Sequence, residues 1–267
     1  MDYDVFMNAR KEEFFMNPVI VRNIKIGEGI PKICVPIVGV TQEEIIEEAK
    51  NIATLPTDIV EWRADWYKDV FSFEAVRSVL KALREILQGK PVLFTFRTAK
   101  EGGEKAIDNA TYIALNKAVI ESGDIDLLDV ELFSGDGVVE EIIDCAHQNQ
   151  LKVIASNHDF EKTPSKEEIV SRLQKMQEMG ADILKIAVMP RSTKDVITLL
   201  SATEEMYTNH AKNPIVTMSM SGVGAVSRIT GEAFGSAITF GAAKKASAPG
   251  QIPVEDLRKV LEILHYC

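Results

Sequence analysis

Lys185 interrupts Ala181–Pro190, a stretch that is otherwise almost wholly apolar. Burial among such neighbours disfavours an ammonium, and a neutral lysine amine attacks carbonyl carbons to form a Schiff base. His158 ends another apolar-rich run, Leu151–His158, whereas His147, His210 and His265 fall on or near helix-like ends where solvated or capping roles suffice. An imidazole is the side chain best matched to proton transfer near neutral pH. Asp159 has the wrong strand parity to orient that ring, so a carboxylate must come from elsewhere, and Glu101, just beyond Arg97, is a candidate. Arg63, Arg97 and Arg228 end or follow three further runs, and guanidinium forks suit a carboxylate or neighbouring hydroxyls. Ser247 and Gln251 flank Pro249 and Gly250 in a turn with two neutral hydrogen-bonding side chains. Each residue alone has a plainer reading: a lysine paired with a carboxylate, a structural histidine, separate ion pairs, an ordinary loop.

The elements that must position these residues follow from periodicity. Runs rich in Val, Ile, Leu and Phe stand at Lys32–Val38, Asp58–Arg63, Pro91–Arg97, Asp126–Glu131, Leu151–His158, Ala181–Val188, Pro214–Met220 and Ser236–Gly241. Amphipathic stretches follow them, at about Thr41–Ala53, Ser72–Leu87, Lys105–Ser122, Gly137–Asn149, Ser165–Met179, Ser192–His210, Gly222–Gly231 and Pro253–Leu264. Thr41 and Ser165 read as N-caps with a glutamate three residues on, and Gly89, Gly123 and Gly180 as helix stops. This rhythm predicts an α/β fold with a parallel sheet closed into a (β/α)8 TIM barrel, and Val19–Gly29 predicts a β-hairpin across its N-terminal end. No G-x-G-x-x-G follows the first run, which disfavours a dinucleotide site.

Strand side chains alternate between faces, so parity sorts the polar residues. Val60 and Trp62 belong under the helices, which turns Glu61 and Arg63 inward. The same logic groups Arg97 with Thr95, Glu131 with Asp129, His158 with Ser156, and Lys185 with Ile183 and Ala187. All lie at or near the C-terminal ends of their strands, where barrel enzymes carry their sites.

With 267 residues and 46% hydrophobic content, the chain can bury a large core, and the layout predicts one barrel over 18–267 with an extension over 1–17. A net charge of −10 argues against a nucleic-acid partner, and no stretch approaches the roughly 18 apolar residues of a membrane span. Cys34, Cys145 and Cys267 are widely spaced and odd in number, which suggests neither disulfides nor a zinc site and predicts a cytoplasmic setting.

The motifs E-W-R-A-D at 61–65, T-F-R-T at 95–98 with E-G-G at 101–103, S-N-H-D-F at 156–160, L-K-I-A-V-M-P at 184–190, S-M-S-G-V-G-A-V-S-R at 219–228 and S-A-P-G-Q at 247–251 together resemble type I 3-dehydroquinate dehydratase, a shikimate-pathway lyase. The resemblance implies dehydration of 3-dehydroquinate to 3-dehydroshikimate through an imine, with neither metal nor nucleotide cofactor, by a homodimer. It implies Lys185 as the Schiff-base lysine, His158 as general acid/base, and Glu101 as the group that orients it. Arg228, Ser247 and Gln251 would hold the substrate carboxylate, and Glu61, Arg63 and Arg97 its hydroxyls. Pro36 departs from the pattern, standing where a serine near the substrate is expected.

Three other readings compete. A Schiff-base aldolase on a small anionic keto sugar needs the same lysine, with Gly222 and Gly224 ahead of Arg228 as a phosphate-binding turn. A metal-dependent isomerase could draw on Glu61, Asp65, Glu131 and His158, although the cations Arg63, Arg97 and Lys185 oppose it. A silent ligand-binding barrel has no reason to keep both the lysine and the histidine.

Overall fold

Apolar side chains on both faces of a strand demand cover on both sides, which a barrel ringed by helices supplies. The computed structural model describes residues 16–243 and 248–267. It opens with an antiparallel hairpin of β1 (Val19–Val21) and β2 (Ile24–Ile26). The barrel strands follow: β3 (Lys32–Ile37), β4 (Ile59–Arg63), β5 (Val92–Thr95), β6 (Leu127–Glu131), β7 (Lys152–Asp159), β8 (Ile183–Val188), β9 (Ile215–Ser219) and β10 (Ile238–Ala242). They pair in parallel in chain order, β10 pairs back onto β3, and the short β11 (Ile252–Pro253) lies beside β10. The circle closes between β9 and β10, where the Ala237 N–H donates to the Ile215 carbonyl at 2.8 Å and the Thr217 N–H to the Ser236 hydroxyl at 3.0 Å.

Helices α1 (Gln42–Ala53), α2 (Phe73–Leu87), α3 (Asn109–Ile120), α4 (Asp136–Gln148), α5 (Lys166–Glu178), α6 (Thr193–Asn209), α7 (Val226–Ile229), α8 (Gly231–Phe234) and α9 (Val254–His265) alternate with these strands. Thr41 and Glu44 form the expected capping box, and the Ser165 hydroxyl accepts the Glu168 N–H at 3.3 Å. Gly123 and Gly180 take left-handed φ values of 72° and 87°, as helix stops do. At the end of α2 that position falls on Gln88, with φ 45°, rather than on Gly89. The third helix begins later than expected, because the Asp108 carboxylate caps it through the Thr111 N–H and hydroxyl. The expected helix over Gly222–Gly231 is broken into turns and the short α7 and α8. A side chain at Gly224 would collide with the carbonyls of Ser219 and Met220, so the chain folds tightly onto the end of β9 there.

Parity holds around the barrel. Cys34, Ile59, Leu93, Leu127, Ile154, Ile183, Val216 and Ile238, one from each barrel strand, pack together in the interior, and Val19, Val21 and Ile26 of the hairpin join that cluster. Val60, Trp62, Phe94, Val130, Leu184 and Ile186 face the helices instead. The lower barrel is therefore a filled apolar plug, and the next layers of inward side chains start at its ceiling. Of the expected extension over 1–17, residues 1–15 lie outside the described residues. The Asn17 N–H donates to the Lys212 carbonyl at 2.9 Å.

Candidate active site

Above the plug the inward positions turn polar and meet at the C-terminal end of the strands. Lys185 Nζ lies 3.2 Å from Asp129 Oδ2 and 3.9 Å from Glu61 Oε1, and 4.4 Å over the centroid of the Phe240 ring. Asp129 Oδ1 accepts from Arg97 at 2.8 Å and from the Ser156 hydroxyl at 2.7 Å. The other arm of Arg97 donates to Glu131 at 2.9 Å and to Ser156 at 3.0 Å. Burial alone would raise the Asp129 carboxyl, but the Arg97 guanidinium and the Lys185 ammonium outweigh it and hold it below the usual carboxylate range. The apolar setting of Lys185 in the sequence therefore describes only the helix-facing side of β8; its inner side is ion-paired.

His158 and Glu101 form a second unit. Glu101 Oε2 accepts the His158 backbone N–H at 2.9 Å and stands 3.1 Å from the ring Nδ1. A carboxylate there favours the proton on Nδ1 and leaves the lone pair on Nε2. Burial, reinforced by Arg97, Lys185 and Arg63, pushes the imidazole well below its ordinary range, so it is held neutral. Burial pushes the Glu101 carboxyl up to about 7, against the pull of Arg97 and with Glu131 adding to the rise.

Arg63 is gripped bidentately by Asp65, at 2.8 Å on both arms. Asp65 also accepts the backbone N–H groups of Arg97 at 3.3 Å and Glu104 at 3.1 Å, which anchors the loop carrying Glu101 to the end of β4. Arg228 is different. It is 1% exposed, donates to the Pro249 carbonyl at 3.1 Å, and pairs with no carboxylate among the described residues. Burial drops it to about 10.

Glu61, Arg63, Arg97, Glu101, His158, Lys185, Arg228 and Gln251 thus line one cavity, bounded on its apolar side by Ala187, Met218, Met220 and Phe240. Ser247 lies outside the described residues. Pro36 faces a different cavity, with Val38 and Glu48. Among the carboxylates considered as hard-metal ligands, Asp65 is engaged by Arg63 and Glu131 by Arg97 and Thr98. Sequence reasoning gave Asp129 and Ser156 their inward parity but no role. The signal was the spacing of D-V-E at 129–131, two carboxylates on one face opposite two cations.

Comparison with known proteins bears on the same residues. The family described as Type I 3-dehydroquinase matches residues 33–266. The chain belongs to the type I 3-dehydroquinase family. It is 56% identical over 247 residues to a 3-dehydroquinate dehydratase of Clostridioides difficile (strain 630), covering 92% of this chain and 97% of that protein. It is 55% identical over 250 residues to a 3-dehydroquinate dehydratase of Listeria monocytogenes, covering 94% and 99%. A crystal structure of a type I 3-dehydroquinate dehydratase from Clostridium difficile with covalently modified comenic acid superposes with a TM-score of 0.92 at 55% identity, covering 94% of this chain and 99% of that one. The type I 3-dehydroquinase match takes in every residue named at the barrel mouth and leaves the β1–β2 hairpin outside it.

Proposed function

We infer that this chain dehydrates 3-dehydroquinate to 3-dehydroshikimate through an imine on Lys185, with His158 moving the protons and Glu101 orienting it. The reading is carried by one cavity holding a buried lysine, a neutral histidine backed by a carboxylate, and a buried arginine that pairs with no carboxylate among the described residues. Membership of the type I 3-dehydroquinase family supports the same chemistry.

The lysine amine adds to the ketone carbon of the substrate and water leaves, giving an iminium. That cation is an electron sink for the adjacent C–H bond. Asp129, held ionised by Arg97, stands beside the nitrogen and stabilises the positive charge there before and after the imine forms. His158 takes the proton from the adjacent carbon, leaving an enamine. The enamine pair then expels the neighbouring hydroxyl, which receives the same proton from His158 and departs as water. One base serves both steps only when proton and hydroxyl leave from the same face. Hydrolysis of the conjugated iminium releases 3-dehydroshikimate and restores the amine. Arg228 and Gln251, with Ser247, hold the substrate carboxylate; Glu61, Arg63 and Arg97 face its hydroxyls.

Borohydride reduction in the presence of substrate or product is the test. It fixes an imine as a stable secondary amine, and peptide mass spectrometry should find the added mass on Lys185. A label on another lysine, or none in an active preparation, overturns the imine reading.

Residues 18–267 act as one catalytic unit in this proposal, and the chain works as a homodimer in the cytoplasm. The dimer rests on the family resemblance, and a sedimentation mass near the 29.6 kDa of one chain would overturn it. No described helix is long and apolar enough to cross a membrane.

A further inference from the structure

We propose that Asn157 and Arg172 are positioning residues for this reaction, a two-residue relay from the helix layer that fixes the Glu101 carboxylate toward His158. Asn157 lies on β7 beside His158 but with the opposite parity, and it is 3% exposed. Its amide Nδ2 donates to Glu101 Oε1 at 3.1 Å, on the oxygen that His158 does not use. Its Oδ1 accepts from Arg172 on α5 at 2.8 Å.

An amide has a donor end and an acceptor end, and what settles its orientation is the neighbour that can play only one part. A guanidinium donates and never accepts, so Arg172 holds Oδ1 outward and leaves the NH2 group facing Glu101. Arg172 is itself held: its Nε donates to Glu168 at 2.9 Å, and its guanidinium lies 5.3 Å over the centroid of the Phe133 ring. Without Arg172 the amide is free to turn. Its oxygen would then face Glu101, repelling a carboxylate and accepting a hydrogen bond from a neutral carboxylic acid.

The relay therefore favours the ionised form of Glu101, the form that orients His158. The other charged groups around Glu101 are Arg97 at the end of β5, which favours ionisation, Glu131 at the end of β6, which opposes it, and His158 itself. Lys185 and Arg63 act on the His158 side of the pair.

The proposal rests on the reading of Glu101 and His158 as the proton-transfer pair, and pH–rate profiles separate the two. Arg172→Met keeps the stem and helix propensity while removing the donors, and Asn157→Leu removes the link itself. Both should move the acid limb of kcat to higher pH by roughly half to one unit, a loss of about three- to tenfold on that limb, with the alkaline plateau nearly unchanged. The double variant should move it no further than Asn157→Leu alone, because the two residues act in series. An unmoved limb in Arg172→Met, or an equal loss at every pH, overturns the relay. Glu101→Gln is the control: near-normal activity there overturns the pair and the relay together, whereas an inactive Glu101→Gln beside an unmoved Arg172→Met overturns the relay alone.

Discussion

Glu101 Oε2 meets His158 twice, accepting its backbone N–H at 2.9 Å and standing 3.1 Å from its ring Nδ1. The carboxylate is thereby tied to the strand that carries the base, and the ring cannot turn without breaking the contact. The two groups are pushed in opposite directions: burial lifts the carboxyl to about 7 and lowers the imidazole well below its ordinary range. The base is neutral throughout the physiological range, so the titration that matters on the acid side is that of the pair, governed by the carboxyl.

The sign follows directly. Protonation of Glu101 as pH falls removes the acceptor that fixes the Nδ1 proton, so kcat should fall through an acid limb near 7. Glu101→Gln should lower kcat on the order of 10²-fold and erase that limb, since no group remains to titrate there. A limb of unchanged position in the variant would assign it to another group.

Lys185 and His158 act at different stages, which a trapping experiment can separate. Imine formation needs chiefly the amine, whereas elimination and imine hydrolysis need a proton carrier. His158→Ala should therefore accumulate an adduct on Lys185, visible by intact-protein mass without borohydride, while turnover falls by roughly 10²- to 10⁴-fold. Near-normal turnover would return His158 to a structural role.

The Asp129 carboxylate is buried between Arg97 and Lys185, at 2.8 Å and 3.2 Å. Asp129→Asn leaves two cations facing a neutral amide, and breaking a buried pair in this way costs about 3–5 kcal/mol. Lys185→Met removes a charge instead and should leave Tm within a few degrees of the parent. In the double variant the penalty of Asp129→Asn should shrink, because one of the stranded cations is gone. Strictly additive Tm shifts would show that the two do not share an energetic link.

Much of this was legible in the sequence because it depends on period and parity. The alternation of Ile59, Glu61 and Arg63 against Val60 and Trp62 suffices to turn the first group into the barrel, and the same rule brought Lys185 and His158 to one mouth. What parity cannot give is the partner across the barrel. Asp129 meets Lys185 because β6 and β8 flank β7 on a curved sheet, a relation of register and curvature that no local pattern carries. The broken helix after β9 escaped for a similar reason: its breaks come from the close approach of Gly224 to the end of that strand, a tertiary contact.

The seam between β9 and β10 is the place where the barrel relies on a side chain in place of a full ladder. Ser236 accepts the Thr217 N–H at 3.0 Å and is 5% exposed, so Ser236→Ala leaves a buried amide without its acceptor. Such a loss costs about 1–3 kcal/mol. Chemical denaturation should show it as a lower midpoint with an unchanged slope, and the Thr217 amide should exchange faster than its neighbours on β9. Equal protection of that amide in both proteins would mean that the backbone closes the seam unaided.

Arg228 is a buried cation whose Nε finds no partner among the described residues, where the rest of its guanidinium meets the Pro249 carbonyl at 3.1 Å and the Met218 sulfur at 3.8 Å. Such a group is costly in the empty protein and becomes satisfied when an anion arrives. Two opposite effects should follow from Arg228→Met. The free protein should be no less stable than the parent, because the variant buries an apolar side chain where the parent buries a charge that no carboxylate among the described residues offsets. Substrate binding should suffer: loss of a charge-assisted hydrogen bond of about 1.5–3 kcal/mol raises KM by roughly ten- to a hundredfold. Adding 3-dehydroshikimate should raise the Tm of the parent and leave that of the variant almost unmoved. If the product stabilises both proteins equally, its carboxylate sits elsewhere in the cavity and Arg228 is a structural cation.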